Sequence, residues 1–241
     1  MSEKVKNSSQ TIVALDNMNK EQVSDFLEQL PREFEWVKVG LELYLAHGRE
    51  LVQSIAKKYE RKIFLDLKLH DIPNTVAKSI GSLSDLPVDL ITVHLSGGRA
   101  MLEAIQKIRK EKMPHVNILG VSYLTSLDNK DLLELFSYDE GEIEKAFSRL
   151  FTLACETGTQ GIVCSPHELE LVKKVEENHS KLIKVCPGIR FQDEIQEGQV
   201  GDQKRIMTPQ KAIQKGADFI VMGRSITQAK DISKRLHDLN T

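Results

Sequence analysis

The sequence predicts a single α/β domain folded as a closed barrel, and three observations carry the prediction. Eight short β-rich runs alternate with eight longer amphipathic helical runs, which implies parallel strands joined by crossover helices. Eight such units close naturally into a (β/α)8 barrel of the TIM type, whereas an open doubly wound sheet, the lesser alternative, usually has fewer. The 241 residues, with no linker-like stretch, fit one barrel. The predicted catalytic domain is 11–241, preceded by a loose polar tail at Met1–Gln10.

The predicted strands run Thr11–Asp16, Trp36–Gly40, Lys62–Lys68, Leu90–Leu95, Asn117–Ser122, Gly161–Ser165, Lys181–Pro187 and Phe219–Gly223. The predicted helices between them are Lys20–Leu30, Tyr44–Tyr59, Thr75–Leu83, Arg99–Arg109, Gly141–Thr157, His167–Glu177, Pro209–Lys215 and Ile226–Leu239. The third strand is the most informative. Side chains alternate along a strand, so Ile63, Leu65, Leu67 and Leu69 share one face suited to packing on helices. Asp66 and Lys68 share the other. Taking such ions out of water costs several kcal/mol each unless they are paired, so their presence in a strong strand points to chemistry.

Active sites of such barrels lie at the C-terminal ends of the strands. Strand one ends in Asp16, strand two carries Lys38 near its end, and strand three brings Asp66 and Lys68 with Asp71 just beyond. One rim thus receives five charges of alternating type. A structural ion network is the competing reading, but the desolvation cost accumulates with every charge. Two further features point to phosphate. Thr208 reads as an N-cap before Pro209, and Gly223-Arg224 ends the eighth strand, where these barrels hold phosphate. The polar stretch between Arg190 and Lys204 reads as an unstructured loop, either a lid or a plain surface loop.

Other residues are left without a role. His94 reads as a core histidine, Cys186 as packing, and His70 departs from the charge alternation. The seven histidines lack metal-ligand spacing, so no metal is expected. Lys and Arg number 33 against 35 Asp and Glu, which gives no electrostatic case for nucleic acid or a membrane surface. Three cysteines without C-x-x-C spacing fit reduced thiols in a cytoplasmic protein. The N-terminus lacks the apolar core of a signal peptide, and no apolar run reaches membrane-spanning length.

The run Phe64-Leu-Asp-Leu-Lys-Leu-His-Asp-Ile-Pro-Asn-Thr-Val76 closely resembles the signature of the orotidine 5′-phosphate decarboxylase family. The resemblance extends from about Thr11 to the final helix through Ala14-Leu15-Asp16, Val37-Lys38-Val39-Gly40, Leu124-Thr125-Ser126, Pro187-Gly188-Ile189-Arg190, Gly201 to Pro209, and Gly223-Arg224. It implies decarboxylation of orotidine 5′-phosphate to UMP, the last step of de novo pyrimidine biosynthesis, without a cofactor. It implies Lys68 as proton donor within an array of Lys38, Asp66, Lys68 and Asp71. Asp16 and Lys38 would contact the ribose, Thr125 would lie near the pyrimidine edge, and Gln203, Gly223 and Arg224 would hold the phosphate with Arg190 beside them. Asp71 and Thr75 would reach the partner's site in a homodimer. The loop from Arg190 is longer than in the common bacterial pattern, so Gln203 is aligned with the phosphate-gripping Gln and Gln199 is the fallback. Metal-dependent sugar-phosphate enzymes share the Asp-x-Lys-x-x-Asp core, and a non-catalytic phosphate-binding barrel is the other rival; the Ile-Pro-Asn-Thr run and the intact charge array argue against them.

Overall fold

Eight parallel strands pair in sequence order and close on themselves in the computed structural model, which describes residues 7–136, 139–196 and 205–240. They are β1 Thr11–Ala14, β2 Trp36–Gly40, β3 Lys62–Leu69, β4 Leu90–His94, β5 Asn117–Val121, β6 Gly161–Val163, β7 Ile183–Cys186 and β8 Phe219–Met222. β1 closes the ring on β8 through Thr11↔Ile220, Ile12↔Val221 and Val13↔Met222.

The two-residue period sorts each strand between two cores. Val13, Val37, Val39, Ile63, Leu65, Leu67 and Ile91 face outward into the large core beneath the helices. Ile12, Phe64, Leu90, Leu119, Val185 and Val221 point into the barrel. Its lower end is closed by Trp36 and Phe219, edge-on at 5.1 Å. Each fully buried Val, Leu or Ile contributes about 1.5–3 kcal/mol. The upper interior changes character, because inward positions there carry Lys38, Asp66 and Thr92, all buried. The fold therefore concentrates its buried charge at the rim where the strands end.

The helices are α1 Lys20–Gln29, α2 Leu41–Tyr59, α3 Pro73–Ser82, α4 Gly98–Lys112, α5 Asn129–Phe136, α6 Ile143–Glu156, α7 Leu169–Glu176, α8 Gln192–Gln196, α9 Pro209–Lys215, α10 Arg224–Thr227 and α11 Ile232–Asn240. Local chemistry explains several starts. Asn19 and Gln22 form a reciprocal capping box on α1. Pro73 and Pro209 occupy first-turn positions, where a missing N–H costs nothing.

Several elements depart from the predicted ones. β1, β6 and β7 end before Asp16, Ser165 and Pro187, which leaves Asp16 in the turn that follows β1. α5 is additional, and Asp128 and Asp131 each accept the other's backbone N–H at its start. The polar stretch after Arg190 contains α8, whose Glu194 accepts the Phe191 N–H. The final helix is two helices, because Asp231 accepts the Lys234 N–H and starts α11 afresh. Of the expected tail, Asn7–Gln10 instead forms a 3-10 turn, tied to the end of α11 by Asn7 Nδ2 to Leu239 O at 2.6 Å. Thr208 does hold the N-cap position of α9, but its side chain makes no capping bond. No helix among the described residues is long and apolar enough to cross a membrane.

Candidate active site

A cavity of about 480 Å³ opens at the C-terminal rim of the barrel. It gathers Asp16, Lys38, Asp66, Lys68, Thr125, Arg190, Gly223 and Arg224, all singled out from the sequence. The charged strand ends of β1 to β3 and the two arginines that follow β7 and β8 share this one rim. Apolar Ala14, Phe64, Val163 and Val221 form the floor.

The charges form a connected chain. Lys38 Nζ donates to Asp16 Oδ1 at 2.7 Å and lies 3.6 Å from Asp66 Oδ2. Lys68 Nζ donates to the same Asp66 Oδ2 at 2.6 Å. Asp66 thus sits between two ammonium groups, with a side chain 10 % exposed. Burial alone would raise its pKa. Lys38, Lys68 and the hydrogen bonds from Lys68 and Thr92 outweigh burial and hold the carboxyl below the usual Asp range. The Asp66 carboxylate is therefore ionised and keeps both lysines aimed at one spot.

Lys68 occupies an unusual backbone position. Its φ is 49°, in the left-handed region that a non-glycine residue rarely adopts. There the β3–β4 register shifts: Leu65 pairs with Ile91, whereas Leu69 pairs with Val93. The alternation read from the sequence holds across the bulge, with Leu67 and Leu69 on the outer core and Asp66 and Lys68 in the cavity, where the Lys68 side chain is about one-third exposed. The backbone N–H of Lys68 donates to Thr92 Oγ1 at 2.9 Å, and Thr92 Oγ1 donates to Asp66 Oδ1 at 2.9 Å.

Close approach at β2 needs a glycine. A Cβ at Gly40 would stand 2.6 Å from Asp16 Oδ1 and 3.0 Å from Lys38 Nζ. After β7, Arg190 is buried and its N–H donates to Met207 O at 3.1 Å, while Met207 N–H donates to Gly188 O. An Ile189↔Met207 bridge thus clamps together the two ends of the long stretch between them. Glu168, itself buried, pairs with Arg205 at the same end; burial pushes the Glu168 carboxyl up, against the pull of Arg205.

Asp71 and Thr75 stand apart. Both are exposed, and neither lines the cavity of its own chain. Gln203 and its fallback Gln199 lie outside the described residues. The sequence reading missed Asn17 and Ser126, which line the cavity, and Thr92, which supports it. Asn17 has φ 60°, a conformation Asn tolerates, so Asp-Asn after a strand was a usable turn signal. His94 is half-buried rather than in the core, and its ring lies 5.3 Å from that of His70 with the planes tilted by 38°. Burial, then His70 and Lys68, lower its pKa, with Asp66 opposing. Neither ring lines the cavity.

A family model described as "Orotidine 5'-phosphate decarboxylase / HUMPS family" matches residues 9–239. The chain belongs to this family. Relatives named orotidine 5′-phosphate decarboxylase include one from Psychromonas ingrahamii, 41 % identical over 231 residues, covering 95 % of this chain and 94 % of that protein. Another, from Staphylococcus aureus, is 42 % identical over 229 residues with 95 % of each chain covered. The crystal structure of orotidine 5′-phosphate decarboxylase from Lactobacillus acidophilus superposes with a TM-score of 0.77 at 32 % identity, covering 95 % of this chain and 96 % of that one. The orotidine 5′-phosphate decarboxylase likeness therefore spans the whole barrel, not one motif.

Proposed function

We propose that the chain decarboxylates orotidine 5′-phosphate to UMP and CO2, the last step of de novo UMP biosynthesis, with Lys68 as the proton donor. The observation that carries this reading is the Asp16–Lys38–Asp66–Lys68 array sharing one cavity with two arginines. Loss of CO2 from C6 leaves the bonding electron pair on that carbon, in an orbital the ring delocalises poorly. A preorganised ammonium beside C6 stabilises this charge, because its orientation is fixed before the reaction begins. Lys68 Nζ then gives its proton to C6, UMP forms, and the neutral amine regains a proton from solvent. Asp66 acts by holding Lys68. Lys38 and Asp16 suit the ribose hydroxyls, and Thr125 the pyrimidine edge. Arg190, Gly223 and Arg224 suit the phosphate, whose remote binding energy helps order the site.

The rival within the same family is a metal-dependent sugar-phosphate enzyme. Asp66 favours the decarboxylase reading, since its Oδ2 lies 3.6 Å from the Lys38 ammonium and 2.6 Å from the Lys68 ammonium, two positive charges that repel a divalent cation. A homodimer completes the proposal. Exposed Leu41, Leu45 and Ile72 lie at the rim near Asp71, where α2 leaves β2 and α3 leaves β3. A second copy covering this apolar face would bring Asp71 and Thr75 to its neighbour's cavity. UMP formation from orotidine 5′-phosphate tests the activity directly. The expected result is turnover unchanged by a chelator or by added magnesium. No UMP, or turnover that requires magnesium, rejects the reading.

A further inference from the structure

The bulge in β3 places three residues, Asp66, Leu67 and Lys68, opposite one residue of β4, Thr92. Such an insertion leaves backbone groups without ladder partners. The Thr92 hydroxyl takes one of them, accepting the Lys68 N–H at 2.9 Å, and donates its own hydrogen to Asp66 Oδ1 at 2.9 Å. Thr92 is fully buried, so water does not readily replace it. One side chain therefore sets both ends of the Asp66–Lys68 pair, the backbone of the lysine and the carboxylate that aims its ammonium.

We propose that Thr92 is a positioning residue for the decarboxylation: its hydroxyl holds the left-handed Lys68 bulge and the Asp66 rotamer together, so that the Lys68 ammonium meets the reacting carbon. A hydroxyl is required because one atom must both accept and donate. Valine has the same shape and does neither. The geometry locates the effect on the chemical step, since Thr92 does not line the cavity and lies on the opposite side of the ring from Arg190 and Arg224. This inference rests on the proposed role of Lys68.

The test compares Thr92→Val, Thr92→Ala, Thr92→Ser and Lys68→Ala in the full-length protein, measuring kcat and KM for orotidine 5′-phosphate and the Kd of UMP. Losing a hydrogen bond to a buried charge predicts that Thr92→Val lowers kcat by about 10- to 100-fold. KM and the UMP Kd should stay within about 3-fold, and Thr92→Ser should recover kcat to within about 3-fold of wild type. A Val variant with more than half the wild-type kcat overturns the proposal. So does a loss confined to KM, or a Ser variant as slow as Val, which would assign the effect to volume. If Val and Ala both fail to fold while Ser is fully active, Thr92 is a folding residue and the proposal also falls. Lys68→Ala separates the two levels. If it remains active, the proton-donor reading fails; if it is dead beside a fully active Thr92→Val, the role of Thr92 alone fails.

Discussion

Asp66 is the residue on which the site turns, because a buried carboxylate between two ammoniums is stable only while it is ionised. Its folded pKa is lowered, so its stabilising contribution is present above the unfolded Asp value and is lost as pH falls through the lower folded value. The difference in unfolding free energy between wild type and Asp66→Asn, whatever its size at neutral pH, should stay flat down to about pH 4 and change only below it. Urea titrations across pH 7 to 3 measure this, and a difference that already closes near pH 6 would mean a raised pKa. Lys68→Ala removes the proposed donor and should lower kcat by several orders of magnitude with an unchanged circular dichroism spectrum. A variant retaining more than roughly a tenth of the wild-type rate would show that Lys68 is not the donor. Arg224 lines the cavity just after β8, where phosphate is expected. Arg224→Ala should lower kcat/KM on orotidine 5′-phosphate by about 10- to 100-fold and on unphosphorylated orotidine by less than about 3-fold. Equal losses on the two substrates would make Arg224 structural.

At the level of elements, the two ends of the barrel respond differently to the same change. Gly40 ends β2, where an added methyl meets the Asp16 and Lys38 side chains. Asp16 is nearly half-exposed and able to swing away, so Gly40→Ala should keep the fold and break the pair. Gly161 begins β6, where an added Cβ would stand 2.5 Å from the Ile183 carbonyl oxygen. Backbone does not yield cheaply, so Gly161→Ala should cost about 1–3 kcal/mol of stability. Thermal unfolding beside kcat/KM separates the two, and the expectation fails if Gly40→Ala is the variant that loses stability. These close approaches also mark what could be read in advance. The Asp66-x-Lys68 spacing on an apolar strand was legible because strand alternation is local and its violation costly. Thr92 was not, since a β-branched residue in Leu-Ile-Thr-Val-His is what any strand contains. Its role depends on a register shift that exists only once β3 and β4 are paired. The left-handed Lys68 was hidden for the same reason. α5 had a local signal, with Asp128 and Asp131 at capping-box spacing, but eight residues give little periodicity. The break before α11 was set by Asp231, whose cap competes with the helical pattern running through it.

The whole molecule carries an asymmetry that a single barrel does not explain. The array Asp16–Lys38–Asp66–Lys68 is continuous within one chain, yet Asp71, which continues its alternation in sequence, is exposed and accepts the N–H of its neighbour Ile72 at 2.6 Å. Ile72 is itself 67 % exposed and Leu45 74 %, on the rim from which Asp71 projects. Large apolar side chains exposed at one rim offer a seat for a second copy. A two-fold dimer seated there would exchange Asp71 reciprocally and give two composite sites. The consequence is measurable by mixing two dead proteins. In a heterodimer of Asp71→Ala and Lys68→Ala chains, one site receives both lesions and the other receives neither. If Asp71 acts across the interface, random exchange makes half the dimers mixed, each with one intact site, and the mixture should regain about a quarter of the wild-type sites. If Asp71 acts within its own chain, every site in every dimer keeps one lesion and nothing returns. Subunit exchange is verified with differently tagged chains, and a mixture that exchanges but stays inactive would place Asp71 in its own barrel and remove the composite site.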